Sequence, residues 1–193
     1  MKLYIATPND KILLMNEINN SELQKKLDKI NAQAAIYRGK IIQLFTHAEM
    51  FVDTIIAIHF CETKQKSNDL IHRLLSELEF IKKEKTLAFL IKHYYPEFSK
   101  KHPSFSKDLK SMEEMRNIMA HRKMLYNEKE ILNFDGETIA FGSFSTRGHI
   151  KGTKIVTVNT NGIRAEIAFA LEITEQLYEL YGIVKRDREA KNN

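Results

Sequence analysis

The residues best suited to chemistry in this sequence lie in one short segment, where Arg116 and Asn117 are followed by His121. Histidine titrates near neutral pH and can take or give a proton. Arginine stays charged and presents a planar fork of donors to phosphate oxygens. RNA can be cut without a metal when a base removes the proton of a ribose 2′-hydroxyl and a cation stabilises the charge that builds on the phosphate. The segment therefore has the residue types that metal-independent RNA cleavage requires.

Helix geometry limits how these residues can act together. At ~100° per residue, five positions put Arg116 and His121 roughly 140° apart around a helix axis. Asn117 and His121, four positions apart, share a face. We therefore expect Arg116 and His121 to flank a groove or to lie across a bend near Ala120.

Positive charge is concentrated around this segment. The chain has a net charge of +5 and an isoelectric point near 9.1, and residues 100–123 contain seven Lys or Arg against three acids. This distribution suits a partner that carries phosphates, although an ordinary solvated surface is the alternative. We predict that Lys110, Arg122 and Lys123 contact the substrate.

Glu49 is a further candidate because its carboxylate falls on an apolar helix face. The apolar residues of that face are Ile42, Phe45, Val52 and Ile56. A buried carboxylate needs a partner, and two interpretations are open. Glu49 either orients Arg116 or His121 in the site, or it has the structural role of pairing with Arg38, Arg73 or a backbone group.

The elements that must position these residues are predominantly helical. Helical spacing of apolar residues predicts helices over residues 21–60, about 68–94, about 104–125 and 163–181. Pro96 and Pro103 are expected to bracket a polar connection, and Gly182 to end the last helix at its C′ position. The charged tail, 185–193, is expected to fray.

A strand-and-turn insert is predicted between the last two helices. Residues 131–134 and 138–141 are strand candidates on either side of Asp135-Gly136, a hairpin signal, and 154–158 is a third strand. The fold class is therefore mainly α, a bundle of four to five helices with a small β-hairpin insert at about 130–158. We expect a single domain over residues 1–193.

Composition indicates a cytoplasmic protein that needs no cofactor. Cys61 is the only cysteine, which excludes an intrachain disulfide. The most apolar stretch, 41–61, contains His47, Asp53 and other polar residues that disfavour a membrane span. The seven histidines lack a zinc-binding spacing, so we expect neither a metal nor another cofactor.

A second possible RNA contact is the pair Tyr94-Tyr95, close to Lys100, Lys101 and His102. Aromatic side chains next to basic ones can stack on the bases of single-stranded RNA. Such aromatics more often cover a core, and both interpretations are open.

The order of these features resembles that of HEPN domains from about residue 27 to 181. The resemblance is carried by an apolar helix with an internal acid, Glu49, by Phe80-Ile81 and Lys85-Thr86-Leu87 in the next helical block, and by Arg-Asn-x-x-Ala-His at 116–121. It implies an up-down helical bundle and an endoribonuclease that leaves a 2′,3′-cyclic phosphate. It also implies that His121 is the general base or acid, that Arg116 binds the scissile phosphate and that Asn117 orients either.

The resemblance further implies a homodimer with the motif at or near the interface, in antiphage defence or as a growth-arresting toxin with an antitoxin or other regulatory protein. One subgroup carries a tyrosine two residues after the histidine, which a partner enzyme modifies; Lys123 stands at that position here. The alternatives are a non-catalytic HEPN domain that binds RNA, a nucleotide or a protein, and a helical scaffold.

Overall fold

The computed structural model describes residues 2–5, 21–124, 131, 133–143 and 154–192, and the prediction of a mainly α fold is confirmed. The helices are α1 (Ser21–Phe60), α2 (Lys64–Arg73), α3 (Phe80–Tyr94), α4 (Pro96–Lys101), α5 (Phe105–His121) and α6 (Thr160–Asn192). The strands are β1 (Lys2–Ile5), β2 (Lys123–Met124), β3 (Ile139–Ser143) and β4 (Lys154–Val158).

The first predicted helix is confirmed as one continuous element, α1. It passes through Gly39, where an added Cβ would meet nothing within 4 Å. A glycine inside a helix costs about 1 kcal/mol relative to alanine, which a 40-residue helix with buried apolar positions tolerates. By length and composition, Glu22–Phe60 could cross a membrane, as could many core helices of soluble proteins and many signal sequences. The absence of a membrane span therefore stays a prediction.

The helical block predicted over about 68–94 consists of two helices, because the chain breaks between α2 and α3. Thr63 caps α2 by accepting a hydrogen bond from the Lys66 amide. Leu74 leaves the helical conformation and stays exposed, and the 3₁₀ turn Leu75–Glu77 that follows buries Leu75.

The expected polar connection between the two prolines is instead the short helix α4. Pro96 occupies its first turn, where a missing N–H costs nothing. The buried ring of Phe98, edge-to-face with Phe105 at a centroid distance of 5.3 Å, anchors it. With α4, and with α2 and α3 as separate helices, the described residues contain six α-helices, more than the predicted four to five.

The predictions for the last helix are wrong at both ends. Helix α6 begins at Thr160, because Asn159 caps it by accepting a hydrogen bond from the Gly162 amide. It continues through Gly182, whose neighbours Leu180 and Val184 are buried. The predicted frayed tail is helical to Asn192, and Arg188 donates a hydrogen bond to the Glu62 carbonyl at 2.9 Å.

Contacts divide the chain into two compact units. The first contains Met1–Ile42 and Arg116–Ile167, and the second contains Gln43–Met115 and Ala168–Asn193. The second unit has a helical core in which the Phe45 and Phe80 rings meet edge-to-face at 4.7 Å. Whether the chain behaves as one domain stays a prediction.

The first unit contains an antiparallel sheet of four strands in the order β1-β4-β3-β2. Strands β3 and β4 were predicted, and Ile139 opposite Val158 gives a buried cross-strand pair. The prediction of a strand over 131–134 is wrong, since Asn133 lies in a turn and the partner of β3 on that side is β2. The insert is therefore part of a larger sheet that also contains the unpredicted strand β1.

Candidate functional site

The predicted motif occupies the last turns of α5. Arg116 and Asn117 are half-buried, and His121 is the last residue of the helix and is exposed to solvent. The Arg122 amide donates to the Ile118 carbonyl at 3.1 Å, the i to i−4 pattern of an α-helix. The helix therefore stays regular at Ala120, and a bend there does not explain the five-residue spacing.

Strand pairing explains why α5 ends at His121 and does not continue to about residue 125. Directly after Arg122 the chain enters β2, where Met124 lies opposite Phe141 of β3. The extended backbone that this pairing needs is incompatible with a further helical turn. His121 is therefore held between a helix and the edge strand of the sheet.

Arg38 of α1 fixes this junction. Its Nη2 atom donates a hydrogen bond to the Arg122 carbonyl at 2.6 Å, and its guanidinium lies 5.1 Å from the centre of the Phe141 ring. A hydrogen bond from a charged donor contributes more than a neutral one, and a cation over an aromatic face adds to it. Arg38 thus joins α1, the residue after His121, and β3.

Two guanidinium groups in this region have unused donors. Arg38 Nε and Arg122 Nη1 are inaccessible to water and have no hydrogen-bond partner among the described residues. Buried donors without a partner cost about 1–3 kcal/mol each. Two half-buried arginines therefore meet directly after His121, and their positive charge favours an anion nearby.

The predicted substrate contacts are found in different places. Arg122 is half-buried next to His121 in the first unit, and Lys110 is exposed in the second unit. Lys123 contributes its backbone to β2, and its side chain lies outside the described residues. Their role in substrate binding stays a prediction.

Glu49 lies in the second unit, where it pairs with a residue that we did not predict. Lys83 Nζ of α3 lies 2.9 Å from Glu49 Oε1 and 2.9 Å from Asp53 Oδ2. The predicted pairing with Arg38 or Arg73 is wrong, because Arg38 bonds to Arg122 and Arg73 pairs with Asp69. Whether Glu49 also acts in the site stays a prediction.

The Lys83 cluster is an ion pair in a largely apolar setting. Lys83 is only 2% exposed, although burial opposes its charge. Its hydrogen bonds to Asp53 and Glu49 outweigh that burial and raise the pKa of Lys83. For Asp53, burial is the main cause of a raised pKa. The Oδ1 atom of Asp53 has no hydrogen-bond partner among the described residues. Lys83 therefore stays charged and needs its carboxylates.

The sequence held a signal for this cluster that we missed. Lys83 is spaced at i, i+4 and i+7 with the buried Leu87 and Leu90, so a charge occupies an apolar helix face. Glu49 and Asp53 are four residues apart on another apolar face. Complementary charges on two buried faces predict an ion pair.

Among the described residues, no group of three or more His, Cys, Asp or Glu side chains lies close enough to hold a metal ion. Comparison of the chain with known families, characterised proteins and solved structures gave no match. The HEPN resemblance therefore stays a prediction that is based on the motif residues and their order.

Proposed function

We propose that this protein is a metal-independent endoribonuclease in which His121 takes part in proton transfer. The observation that carries the proposal is the position of His121 at the end of α5. Its ring is exposed to solvent, while Arg38 holds the backbone directly after it. An acid or base must be reachable by its substrate, and His121 is exposed on a backbone that Arg38 holds in place.

The proposed step uses motif groups from two copies of the chain. His121 removes the proton from a ribose 2′-hydroxyl, the 2′-oxygen forms a bond to phosphorus, and the bond from phosphorus to the 5′-oxygen breaks. The products are a 2′,3′-cyclic phosphate and a 5′-hydroxyl. Arg116 stabilises the phosphate charge and Asn117, one turn before His121 on the same face, orients the reacting groups.

The local charge supports an anionic substrate. Arg122 adjoins His121, and the Arg38 guanidinium binds the Arg122 carbonyl, so two positive charges lie at the end of α5. We further propose that the protein acts in the cytoplasm as a homodimer, with the second copy's His121 giving the proton that the leaving 5′-oxygen takes. Antiphage defence or growth arrest, with an antitoxin or other regulatory protein, is the proposed setting.

The test is cleavage of a pool of labelled random-sequence RNA by the purified protein in EDTA. We expect wild-type protein to cut the RNA, and His121→Ala and Arg116→Ala to lose ~10²–10⁴-fold in rate. His72→Ala is the matched control, because His72 is also exposed near the end of a helix, α2. Salt-dependent RNA binding without product in every protein would instead indicate a non-catalytic binding domain.

A further inference from the structure

A chain of aromatic rings is exposed on the second unit, away from any use in the proposed reaction. Phe60, Phe89 and Tyr94 are 56%, 51% and 54% exposed. His59 lies between two of them, with ring centroids 5.0 Å from Phe60 and 4.6 Å from Tyr94. Phe89 lies 6.3 Å from Tyr94. Single exposed apolar residues are common, but a continuous set of rings indicates an interaction surface. We name these four residues the aromatic platform.

One member of the platform, His59, is held in place by a buried tyrosine. The His59 Nδ1 atom shares a 2.7 Å hydrogen bond with the Tyr95 hydroxyl, and Tyr95 is buried. Burial raises the pKa of Tyr95 to about 12 and lowers the pKa of His59. Both rings are therefore neutral at pH 7, and His59 adds an uncharged ring of fixed position to the platform.

Positive charge borders the platform on α3. The exposed side chains of that helix include Lys82, Lys85 and Lys92, together with Phe89. The single acid within the α3 sequence is Glu84, and it is half-buried. Aromatic faces that alternate with lysines complement a ligand that has both bases and phosphates.

Tyr94 and Tyr95, which the sequence predicted either to stack on RNA or to cover the core, lie in different environments. Tyr94 belongs to the exposed platform and Tyr95 to the core. Lys101 and His102, which we also considered as RNA contacts, both bind the Glu179 carboxylate, at 2.8 and 3.2 Å. The α3 lysines therefore supply the charge that borders the platform, while near His59 the charge of Lys191 is paired with that of Asp187 at 2.8 Å.

We propose that the aromatic platform and the lysines of α3 form a binding surface for single-stranded RNA, with bases stacked on Phe89 and Tyr94. This proposal adds a substrate-binding surface to the proposed function. It depends on the proposed function only because it takes the nucleic acid to be RNA. A protein partner would also cover an apolar surface, but the charge of α3 favours a polyanion.

The test measures binding of a fluorescein-labelled single-stranded 20-mer RNA and of its duplex by full-length protein that carries His121→Ala, so that cleavage cannot alter the probe. Phe89→Ala and Tyr94→Ala should each weaken single-strand binding about tenfold, as expected for loss of one stacked base. Duplex binding should change much less, because paired bases cannot stack on the platform. Tyr178→Ala is the matched control, since Tyr178 is an exposed aromatic residue of the same unit.

Two further variants separate stacking from apolar contact. Phe89→Leu keeps apolar area but loses the flat ring, so it should bind as weakly as Phe89→Ala, whereas Phe89→Tyr should bind like the parent.

Lys85→Gln and Lys92→Gln should each lower the slope of log affinity against log salt by about 0.7. Full affinity in Phe89→Leu, or equal loss in Tyr178→Ala, would overturn the proposal.

Failure of this proposal and failure of the proposed function are distinguishable. Unchanged binding in the platform variants, with cleavage still lost in His121→Ala, would overturn the platform alone. A change in sedimentation of Phe89→Ala without a change in RNA affinity would show that the surface joins two copies of the chain, and would also overturn it.

Discussion

The Nη2 atom of Arg38 donates a 2.6 Å hydrogen bond to the backbone carbonyl of Arg122. Since Arg122 directly follows His121, this bond fixes the backbone at the point where α5 gives way to β2. Arg38 touches no reacting group in the proposed step and is therefore a positioning residue. A substitution at Arg38 therefore tests how much activity depends on the position of His121, because the imidazole itself is kept.

Substitution of Arg38 by Met should lower both stability and activity. The loss of a charged hydrogen bond and of the contact with Phe141 should reduce the free energy of unfolding by about 1–3 kcal/mol. Misplacement of His121 should reduce kcat about tenfold to a hundredfold, with a smaller change in KM. Urea unfolding and steady-state cleavage kinetics measure these effects.

Arg73→Met is the matched control for Arg38→Met, because Arg73 is exposed and makes only a 3.8 Å pair with Asp69. It should cost less than about 0.5 kcal/mol and leave kcat unchanged. Arg38→Lys should recover part of the activity. Normal kcat in folded Arg38→Met would show that Arg38 does not position the site.

Substitution of Lys83 by Met should destabilise the protein strongly. It leaves the carboxylates of Glu49 and Asp53 without their cation in a buried setting, which costs about 3–5 kcal/mol. Adding Glu49→Gln and Asp53→Asn to this variant should restore most of the loss. Urea unfolding checks both results, with the exposed neighbour Lys82→Met as control. A loss below 1 kcal/mol would show that the ion pair contributes little.

Glu49→Gln separates the two roles that the sequence left open for this residue. Its carboxylate already binds Lys83, so we expect lower stability but an unchanged rate of RNA cleavage per folded molecule. Active-site titration or native mass spectrometry gives the folded fraction. A rate loss above tenfold at full folding would instead assign Glu49 to the catalytic site.

Asp135 should make stability depend on pH at the turn before β3. The Thr138 and Glu137 amides and the Thr138 hydroxyl donate to its carboxylate, which lowers the pKa of Asp135 below its usual 3.8. A carboxyl with a lowered folded pKa contributes stability above the unfolded value and loses it as the pH falls through the folded pKa. Asp135→Ala should therefore be less stable than wild type at pH 7, and the difference should shrink below about pH 4.

Urea unfolding at a series of pH values measures this difference, and Glu137→Ala is the control because its side chain is exposed. A difference that stays constant down to pH 2 would contradict the assigned role of the Asp135 charge. Gly136 is not a suitable control site, because its φ of +85° is unfavourable for other residues.

Local sequence patterns predicted the parts of the fold that depend on local spacing. The extent of α1, and strands β3 and β4, follow from the periodicity of apolar residues. The helix breaks were harder to predict. Leu74 has no proline or glycine beside it, and the helix ends where Leu75 of the following 3₁₀ turn is buried.

The parts of the site that were missed depend on contacts between distant residues. Arg38 and Arg122 are 84 positions apart, and Lys83 and Glu49 are 34 apart. Periodicity places each residue on a helix face but does not determine which faces meet. Strand β1 pairs with β4 across most of the chain, and a four-residue strand has too short a pattern to be recognised alone.

The most direct test of the central claim is single-turnover cleavage of RNA in EDTA with analysis of the product ends. Wild-type protein should leave 2′,3′-cyclic phosphate and 5′-hydroxyl ends. It should not cut a matched 2′-O-methyl RNA, in which a methyl group replaces the proton of the 2′-hydroxyl. His121→Ala should be slower by ~10²–10⁴-fold, and the control His72→Ala should cut like wild type. Cleavage of the 2′-O-methyl RNA, or equal rates for His121→Ala and wild type, would contradict the assignment of His121.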